Sequence, residues 1–400
     1  MTAFRMMTPA FLDAPGPALA RLRAEAPVVR VRLPVVGDTW MTTTDAAARA
    51  MLKDETRFVR DPYPVTGRPL SSRFWWMPRA VKPLFGGLLS SDGEKHRRLR
   101  RVVDAAFART TVEGLRPDLA RMADALIDRL PETGPVDVSA GLCHPLPFQA
   151  ICLLLGLPEE DEAWLHARVS PLSAMENLPK AAYAMYRLGG VMAYFQNRIE
   201  MARRGGHPGL LGALAAEDTA RDLSDLDLQT LFMTLFLAGH ETTVHLLNHA
   251  IIAIAGDDAL RARLLDPGAD VKPLVDEMLR WHSLIMVSAL HVVAEDTEFE
   301  GVALKRGDQI MAGLLAANRD PARHGAPDTL LPDRRPNAHL GFGFGPHVCL
   351  GMQLGRAEAE IVLTRLFRRH PRLVLDGPPP GWRRRVGLRV RRNVVVRLEG

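Results

Sequence analysis

The stretch Phe342-Gly-Phe-Gly-Pro-His-Val-Cys349-Leu-Gly351 sets one cysteine in a glycine-rich turn, just before a predicted helix that runs through Met352–Arg356. Gly343 and Gly345 permit backbone conformations closed to other residues and let a flat ligand approach the main chain. Unpaired N–H groups in the turn and at the start of the helix would stabilise a thiolate and lower the pKa of Cys349. The pattern predicts a metal ligand or a nucleophile, in preference to a buried core cysteine.

A second polar segment, Ala238-Gly-His-Glu-Thr-Thr243, interrupts an apolar helix predicted over 225–255. Ser224-Asp-Leu-Asp227 gives that helix a start similar to a capping box. An acid beside a hydroxyl suits proton transfer, since the hydroxyl can orient a water molecule and the acid can supply a proton. The residues alone leave a second interpretation open, a helix kink in which threonine hydroxyls bond back to carbonyl groups.

These two segments, with Glu277-Met-Leu-Arg280 between them, resemble the cytochrome P450 family, in particular its soluble bacterial-type haem-thiolate monooxygenases. Order and distance give the resemblance its weight, because Glu277 follows Glu241 by 36 residues and Arg280 precedes Cys349 by 69. The resemblance spans about residues 10 to 400. It implies a mainly α fold with small peripheral β-sheets.

The resemblance also implies roles for single residues in the two segments. Cys349 would be the axial thiolate of the haem iron, in a loop where Phe342, Gly343, His347 and Gly351 stand at family positions. On the long helix, Glu241 would be the acid and Thr242 the alcohol of proton delivery. Gly239 would leave room for oxygen, and Ala238 would adjoin the cofactor.

The haem propionates would need cations, and the resemblance points to three residues. His96 and Arg100, four apart on one helix face, would reach one propionate, and His347 would serve the other. His291 stands where the family usually has an arginine. This departure predicts a weaker or pH-dependent contact, or another arginine in its place.

Glu277, Arg280 and Arg334 would form the structural ion-pair network that the family has behind the haem. Side chains expected along the substrate pocket are apolar, and they favour a lipophilic small-molecule substrate. They are Trp75, Trp76, Leu235, Ile285, Met286 and Val287.

The composition excludes several classes of protein. Three cysteines are too few for a disulfide framework and indicate a reducing cytoplasm. The net charge is +5, but the basic residues are spread among acidic ones along the chain, so nucleic-acid binding is not expected. No apolar run reaches the ~20 residues of a membrane span, and no membrane anchor is predicted.

The pattern of apolar residues predicts one mainly helical domain over 1–400, with a helix-rich core at about 90–290 and 340–370. Small sheets are expected near 28–43, 290–312 and 385–398. Strand-like alternation occurs at Val28–Leu33, Glu298–Ala303 and Arg389–Arg397.

The predicted function is insertion of one oxygen atom from O2 into a lipophilic molecule by a haem b enzyme, by hydroxylation or epoxidation. Electrons would come from a separate ferredoxin and its reductase, docked near Arg97, Arg101 and Arg356. A hydrogen peroxide-dependent peroxygenase is the alternative, and a haem-based gas sensor is a remote one. A zinc hydrolase is remote too, because His240 and His245 are five residues apart and cannot chelate one ion on a helix without distortion.

Overall fold

The computed structural model describes residues 4–34, 36–74, 78–104, 106–171, 178–205, 208–216 and 223–398. Trp75 and Trp76, two predicted pocket residues, lie outside these ranges. No helix within the described ranges is both long and apolar enough to cross a membrane.

Most described residues are helical. The α-helices are α1 Pro9–Asp13, α2 Pro15–Glu25, α3 Asp45–Lys53, α4 Tyr63–Thr66, α5 Gly93–Asp104, α6 Arg109–Ile127, α7 Pro145–Leu155, α8 Glu159–Val169, α9 Leu178–Arg203, α10 Gly209–Ala216, α11 Asp225–Ala255, α12 Asp258–Leu265, α13 Lys272–His282, α14 Leu314–Asn318 and α15 Met352–Arg369. Short 3-10 helices lie at Leu70–Phe74, Arg79–Gly86, Leu88–Ser90 and Gly345–His347, and a π-helical turn lies at Ser139–Cys143.

The strands are short and form small sheets, as predicted. They are β1 Phe4–Arg5, β2 Val28–Leu33, β3 Gly37–Thr42, β4 Phe58–Val59, β5 Pro135–Asp137, β6 His291–Val293, β7 Thr297–Phe299, β8 Val302–Leu304, β9 Gln309–Met311, β10 Val374–Leu375, β11 Trp382–Arg385, β12 Leu388–Arg391 and β13 Val395–Arg397. A mixed sheet has the order β1-β2-β3-β9-β6-β4, and a second sheet has the order β10-β13-β5. β7 pairs with β8, and β11 pairs with β12, each as an antiparallel hairpin.

Two of the three predicted strands are interrupted. The segment 298–303 forms a hairpin instead of one strand, because Glu300 and Gly301 have left-handed φ values of 53° and 76°. The segment 389–397 divides into β12 and β13, which belong to different sheets. Both turns fall where the alternation of apolar residues breaks, at Glu300-Gly301 and at Arg391-Arg392-Asn393, so a stricter reading of the pattern would have divided both segments. Val28–Leu33 is confirmed as a strand.

The helix α11 has the predicted bounds and the predicted cap. The Ser224 side chain accepts a hydrogen bond from the Asp227 N–H, and the Asp227 carboxylate accepts one from the Ser224 N–H. With 31 residues the helix is about 46 Å long. It packs against α7, α9 and α15 at the centre of the larger core cluster.

A buried carboxylate ties α13 to the segment ahead of the cysteine turn. Glu277 receives two hydrogen bonds of 2.8 Å from Arg280 and two of 3.1 Å from Arg334. The Leu331 N–H and the Asn337 amide also donate to it, at 2.8 and 3.1 Å. The Glu277 and Arg280 side chains are fully buried, so removal of either partner would cost ~3–5 kcal/mol of stability.

A second buried acid lies between α15 and α11. Burial raises the pKa of Glu358 to about 8, although the nearby Thr243 hydroxyl acts in the opposite direction. Near neutral pH the carboxyl group is therefore mostly protonated. The contact brings α15, which begins just after Cys349, against the turn of α11 that follows Thr242. Nothing in the sequence analysis had singled out Glu358.

Candidate active site

The cysteine turn has the geometry that its glycines predicted. The Cys349 N–H donates to the Phe342 carbonyl at 2.8 Å, which closes the turn. Gly343 and Gly345 have φ values of 73° and 74°, in the left-handed region that favours glycine. A Cβ at Gly345 would come within 2.4 Å of the Leu52 carbonyl oxygen. No larger residue fits there without a shift of α3.

The expected electrostatic effect on Cys349 is different in the structure. Burial raises the pKa of the thiol, and this outweighs the Gly351 N–H and the guanidinium groups of Arg100 and Arg356, which lower it. The Gly351 N–H thus acts on the pKa in the predicted direction, but burial outweighs it. A metal ion is needed to hold this sulfur as a thiolate, because a coordinating thiol loses its proton to the metal.

One face of α11 stays open in the middle of an otherwise buried helix. Ala238 and Thr242 are exposed, while Phe236, His240 and Thr243 are buried. Positions four apart lie on the same helix face, so the two exposed residues form one stripe. The residues of the cysteine turn are also only half-buried. Helix and turn therefore both leave surface that a cofactor would cover.

The threonine hydroxyl and the glycine of this segment have structural partners. The Thr242 hydroxyl donates to the Ala238 carbonyl at 3.1 Å, which is the back-bonded arrangement left open by the sequence. The absent side chain of Gly239 points at α7, since a Cβ would lie 2.8 Å from the Ile151 side chain. The glycine thus allows close helix packing, and the expectation that it leaves room for oxygen has no support here.

The acid of the segment is engaged by a residue from the C-terminal hairpin. The Glu241 carboxylate accepts a hydrogen bond of 2.5 Å from Arg385. The same oxygen lies 3.9 Å from Nε2 of His245, one turn further along α11. Arg385 is 144 residues away in sequence, and the sequence contains no signal for the pair.

Two predicted propionate ligands lie together with their polar atoms unsatisfied. The rings of His96 and His347 are 3.8 Å apart. Both ring nitrogens of His96 and Nε2 of His347 are buried without a hydrogen-bond partner among the described residues. Burial lowers the pKa of His96 to about 4 and that of His347 to about 2. Such atoms are costly to leave unpaired, and a ligand carboxylate or a water would satisfy them.

Near His291, where the family usually has an arginine, the structure places an arginine from another segment of the chain. Arg60 donates to Nε2 of His291 at 3.3 Å, and Nδ1 of His291 donates to the Ala289 carbonyl at 2.8 Å. His291 is thus a neutral acceptor, and burial with the nearby Arg60 charge lowers its pKa to about 3. Burial lowers the pKa of Arg60 to about 10, so it remains a cation at neutral pH.

Strand pairing explains why Arg60 replaces the usual residue. Phe58 pairs with Val293 and Val59 with Val292, so the next step along both strands places Arg60 opposite His291. A cation from β4 therefore stands beside the position that the family fills from β6. The sequence contains Arg60, but its position opposite His291 can be recognised only once the register of the two strands is known.

Arg100 and Glu55 complete this corner of the site. Arg100 donates to the Val348 carbonyl at 2.6 Å and pairs with Asp104 at 2.9 Å, so it braces the cysteine turn. Glu55, His96 and His347 are the one group of three side chains in the described ranges whose geometry could hold a metal ion. This group contains none of the α11 histidines, so the zinc-hydrolase alternative gains no support.

Of the predicted pocket residues that the structure describes, three are buried and one is half-buried. Met286 is fully buried in a core cluster, and Leu235 and Val287 are 6% and 7% exposed. Met286 therefore packs the core and does not line a pocket, because the apolar segment 285–287 turns one side chain inward. Ile285 is half-buried and remains a candidate.

Together these residues suit a flat apolar group that carries a metal and two carboxylates. The cysteine turn offers one sulfur ligand, the stripe on α11 offers small side chains opposite, and His96, His347 and Arg60 offer partners for carboxylates. The unpaired ring nitrogens and the glycines of the turn carry this fit, and a thiolate-ligated haem meets every part of it.

Comparisons with known proteins agree. The family model "Cytochrome P450" matches residues 271–379. Mycinamicin IV hydroxylase/epoxidase of Micromonospora griseorubida is 35% identical over 380 residues, which cover 92% of each chain. Vitamin D(3) 25-hydroxylase of Pseudonocardia autotrophica is 34% identical over 370 residues, which cover 91% of this chain and 88% of that protein.

Solved structures show the same likeness in three dimensions. The Bacillus subtilis 168 bacillaene polyketide synthase cytochrome P450 PksS superposes with a TM-score of 0.87, at 29% identity and 98% coverage of each chain. The tirandamycin C-bound P450 monooxygenase TamI superposes with a TM-score of 0.84, at 30% identity. The superposition covers 99% of this chain and 100% of the TamI chain. The chain belongs to the cytochrome P450 family and is a haem-thiolate monooxygenase.

Proposed function

We propose that this enzyme uses O2 to hydroxylate or epoxidise a lipophilic small molecule, with haem b as its cofactor. The observation that carries the proposal is the placement of Cys349 in a half-open turn, on a chain whose α11 presents Ala238 and Thr242 on an open face. The names of the relatives, which include a hydroxylase/epoxidase and a hydroxylase, favour the same reaction class. The small and apolar side chains Ala238 and Ile285 suit a substrate without charge.

The cofactor would be held by residues already described. Cys349 would supply the axial sulfur, and His96, His347 and Arg60 would bind the propionates, with His291 orienting Arg60. Haem bound in this way supplies the activation of dioxygen. Arg100, which donates to the Val348 carbonyl at 2.6 Å, would keep the cysteine turn in place.

The protein's own part in the chemistry would be to move protons. Glu241 would take a proton from solvent and pass it on, and the Thr242 hydroxyl would orient the water that carries it. Thr242 can do this while it donates to Ala238, because a hydroxyl oxygen also accepts hydrogen bonds. The back-bonded geometry and the catalytic role are thus compatible.

Replacement of Cys349 by alanine should abolish the thiolate-type spectrum of the reduced, CO-bound protein, together with all oxygenation. No other residue in the turn offers a soft anionic ligand. Cys143 and Cys152 are buried free thiols, so their alanine variants serve as controls and should keep the spectrum. A thiolate spectrum that survives in Cys349→Ala would refute the proposed function.

Thr242→Ala should retain haem and substrate binding but form several-fold less product per NAD(P)H consumed, with the difference released as peroxide. Loss of the hydroxyl disturbs proton delivery and leaves electron transfer intact. Thr234→Ala is a matched control, because the Thr234 hydroxyl also bonds to a carbonyl four residues back, at 2.7 Å. Equal coupling in the two variants would favour the peroxygenase alternative or a purely structural threonine.

Arg60→Leu should release haem roughly ten-fold or more faster than the wild type, because a buried carboxylate would lose a charged donor worth ~1.5–3 kcal/mol. Transfer of haem to an excess of apomyoglobin measures the rate. The haem release rate of Arg60→Lys should lie between those of the wild type and Arg60→Leu. Arg21→Leu, which removes a surface arginine of α2, should match the wild type. Wild-type release from Arg60→Leu would return the propionate role to His291.

The proposed electron donor is an acidic ferredoxin that receives its electrons from its own reductase. Arg97 and Arg101 of α5 are exposed, although both lie near Glu94, at 3.1 and 4.0 Å. Arg356 pairs with Asp276 at 2.7 Å and lies over the Phe342 ring. The patch beside the cysteine is therefore smaller than the sequence suggested, with Arg97 and Arg101 as its main charges.

Reduction of the iron by such a ferredoxin should slow as ionic strength rises, and Arg101→Glu should slow it further at low salt. Electrostatic attraction acts mainly on the association rate and is screened by ions. Arg21→Glu is a matched control, since the Arg21 and Arg101 side chains are both 68% exposed. Stopped-flow rates that ignore both salt and Arg101→Glu would exclude docking at this patch.

A further inference from the structure

The ion pair between Glu241 and Arg385 joins α11 to the C-terminal hairpin, two elements that are far apart in sequence. Arg385 ends strand β11, and Glu241 lies in the middle of α11. Their side chains are 16% and 23% exposed, so the pair is shielded from most of the solvent. A charge-assisted bond of 2.5 Å in such a place fixes the direction of the carboxylate.

Beside the pair is a small polar cavity of about 10 Å³, close to the volume that one ordered water needs. Its lining includes both members of the pair and the titratable or charged groups that face them from each neighbouring element. These groups are His144 at the start of α7, His245 on α11, Arg383 on β11 and Arg391 on β12. Asn248 and Asn393 supply further polar partners.

The cavity is rich in groups that can hold a water. His245 Nε2 lies 3.9 Å from the Glu241 carboxylate, and Nδ1 of the same ring is buried without a hydrogen-bond partner among the described residues. Arg383 donates to Asn393 at 3.0 Å, so its guanidinium already has a partner in the lining of the cavity. Among the hairpin side chains that the structure describes, Arg385 is the arginine that contacts the acid directly.

The hairpin that carries Arg385 is fastened to the chain near the predicted substrate pocket. The Met286 N–H donates to the Gly387 carbonyl at 2.9 Å, and the Arg389 N–H donates to the Leu284 carbonyl at 2.8 Å. Ile285 also forms a bridge with Leu388. The backbone that positions Arg385 is therefore held by the segment 284–286, and the arginine has a defined place relative to α11.

We propose that Arg385 is a positioning residue for proton delivery, and that it directs the Glu241 carboxylate toward the water-sized cavity from which Glu241 regains its proton. This inference rests on the proposed acid role of Glu241. As the ion pair opens, a proton from solvent would be relayed by the cavity water to the carboxylate, the water gaining one proton as it gives up another, and the carboxyl group would then pass its proton to the water beside Thr242. Arg385 itself neither gains nor loses a proton.

The test compares Arg385→Leu, Arg385→Gln and Arg385→Lys in the haem-loaded enzyme. Arg385→Leu should lower product per NAD(P)H several-fold and enlarge the solvent isotope effect on turnover, because proton transfer becomes slower. Arg385→Lys should restore most of both values, since it keeps the cation, and Arg385→Gln should not. Substrate dissociation constants from the spectral shift should stay within about two-fold of the wild type, as the proposal gives Arg385 no contact with substrate.

A double-mutant cycle separates this inference from the function on which it rests. In the Glu241→Gln background, Arg385→Leu should have no further effect on coupling or on the isotope effect, because there is no carboxylate left to direct. Additive effects would overturn the inference. Arg397→Leu is a control, because it breaks a 2.7 Å pair with Asp376 in the neighbouring sheet and should leave coupling unchanged.

The remaining outcomes are also decisive. If Glu241→Gln alone leaves coupling and the isotope effect unchanged, the acid role fails and the inference falls with it. If Glu241→Gln changes both but every Arg385 variant behaves like the wild type, the acid role stands and the positioning role of Arg385 is refuted. A thermal unfolding midpoint measured for each variant excludes general loss of structure, and Arg385→Gln, compared with Arg385→Lys, keeps the test valid if Arg385→Leu does not fold.

Discussion

The buried carboxylate of Glu277 is the constraint on which the site depends. Arg280 and Arg334 approach it from α13 and from the segment ahead of the cysteine turn; the Arg280 side chain is fully buried and that of Arg334 is 7% exposed. Burial by itself would raise the pKa of Glu277, yet the hydrogen bonds from Arg280 and the Leu331 N–H lower it, so the group stays ionised. With its four partners in place, Glu277 fixes the path of the segment that leads into the turn. This in turn fixes the position of the Cys349 sulfur.

The long helix α11 is the second fixed element, and the site is the space between it and the turn. α15 starts directly after the turn and packs against α11, and a Cβ at Gly355 would lie 3.7 Å from the Thr243 hydroxyl. Gly239 lets α7 press closely on the opposite side. Close packing on these sides leaves the stripe of Ala238 and Thr242 as an open surface. Apolar packing thus fixes α11 on one side of the site, as the Glu277 network fixes the turn on the other.

The sequence predicted those features that depend on neighbours in the chain. The bounds and cap of α11, the closed turn at Cys349 and the pair of Glu277 with Arg280 follow from local spacing, and each has the expected geometry. Features that depend on distant contacts were not predictable. The raised pKa of Cys349 comes from burial by remote side chains, Gly239 faces another helix, and Arg385 reaches Glu241 from the other end of the chain.

The exchange between His291 and Arg60 has a consequence for how this protein recognises its cofactor. β4 is only two residues long and forms the edge of its sheet, so few hydrogen bonds hold its register. A slip of one residue would turn Arg60 to the opposite face of the sheet and remove the cation from the cofactor. In relatives with arginine at the His291 position, the charge belongs to an inner strand. If Arg60 binds a propionate as proposed, cofactor affinity would depend on the alignment of an edge strand, and local fraying of that strand would weaken haem binding before any helix had moved.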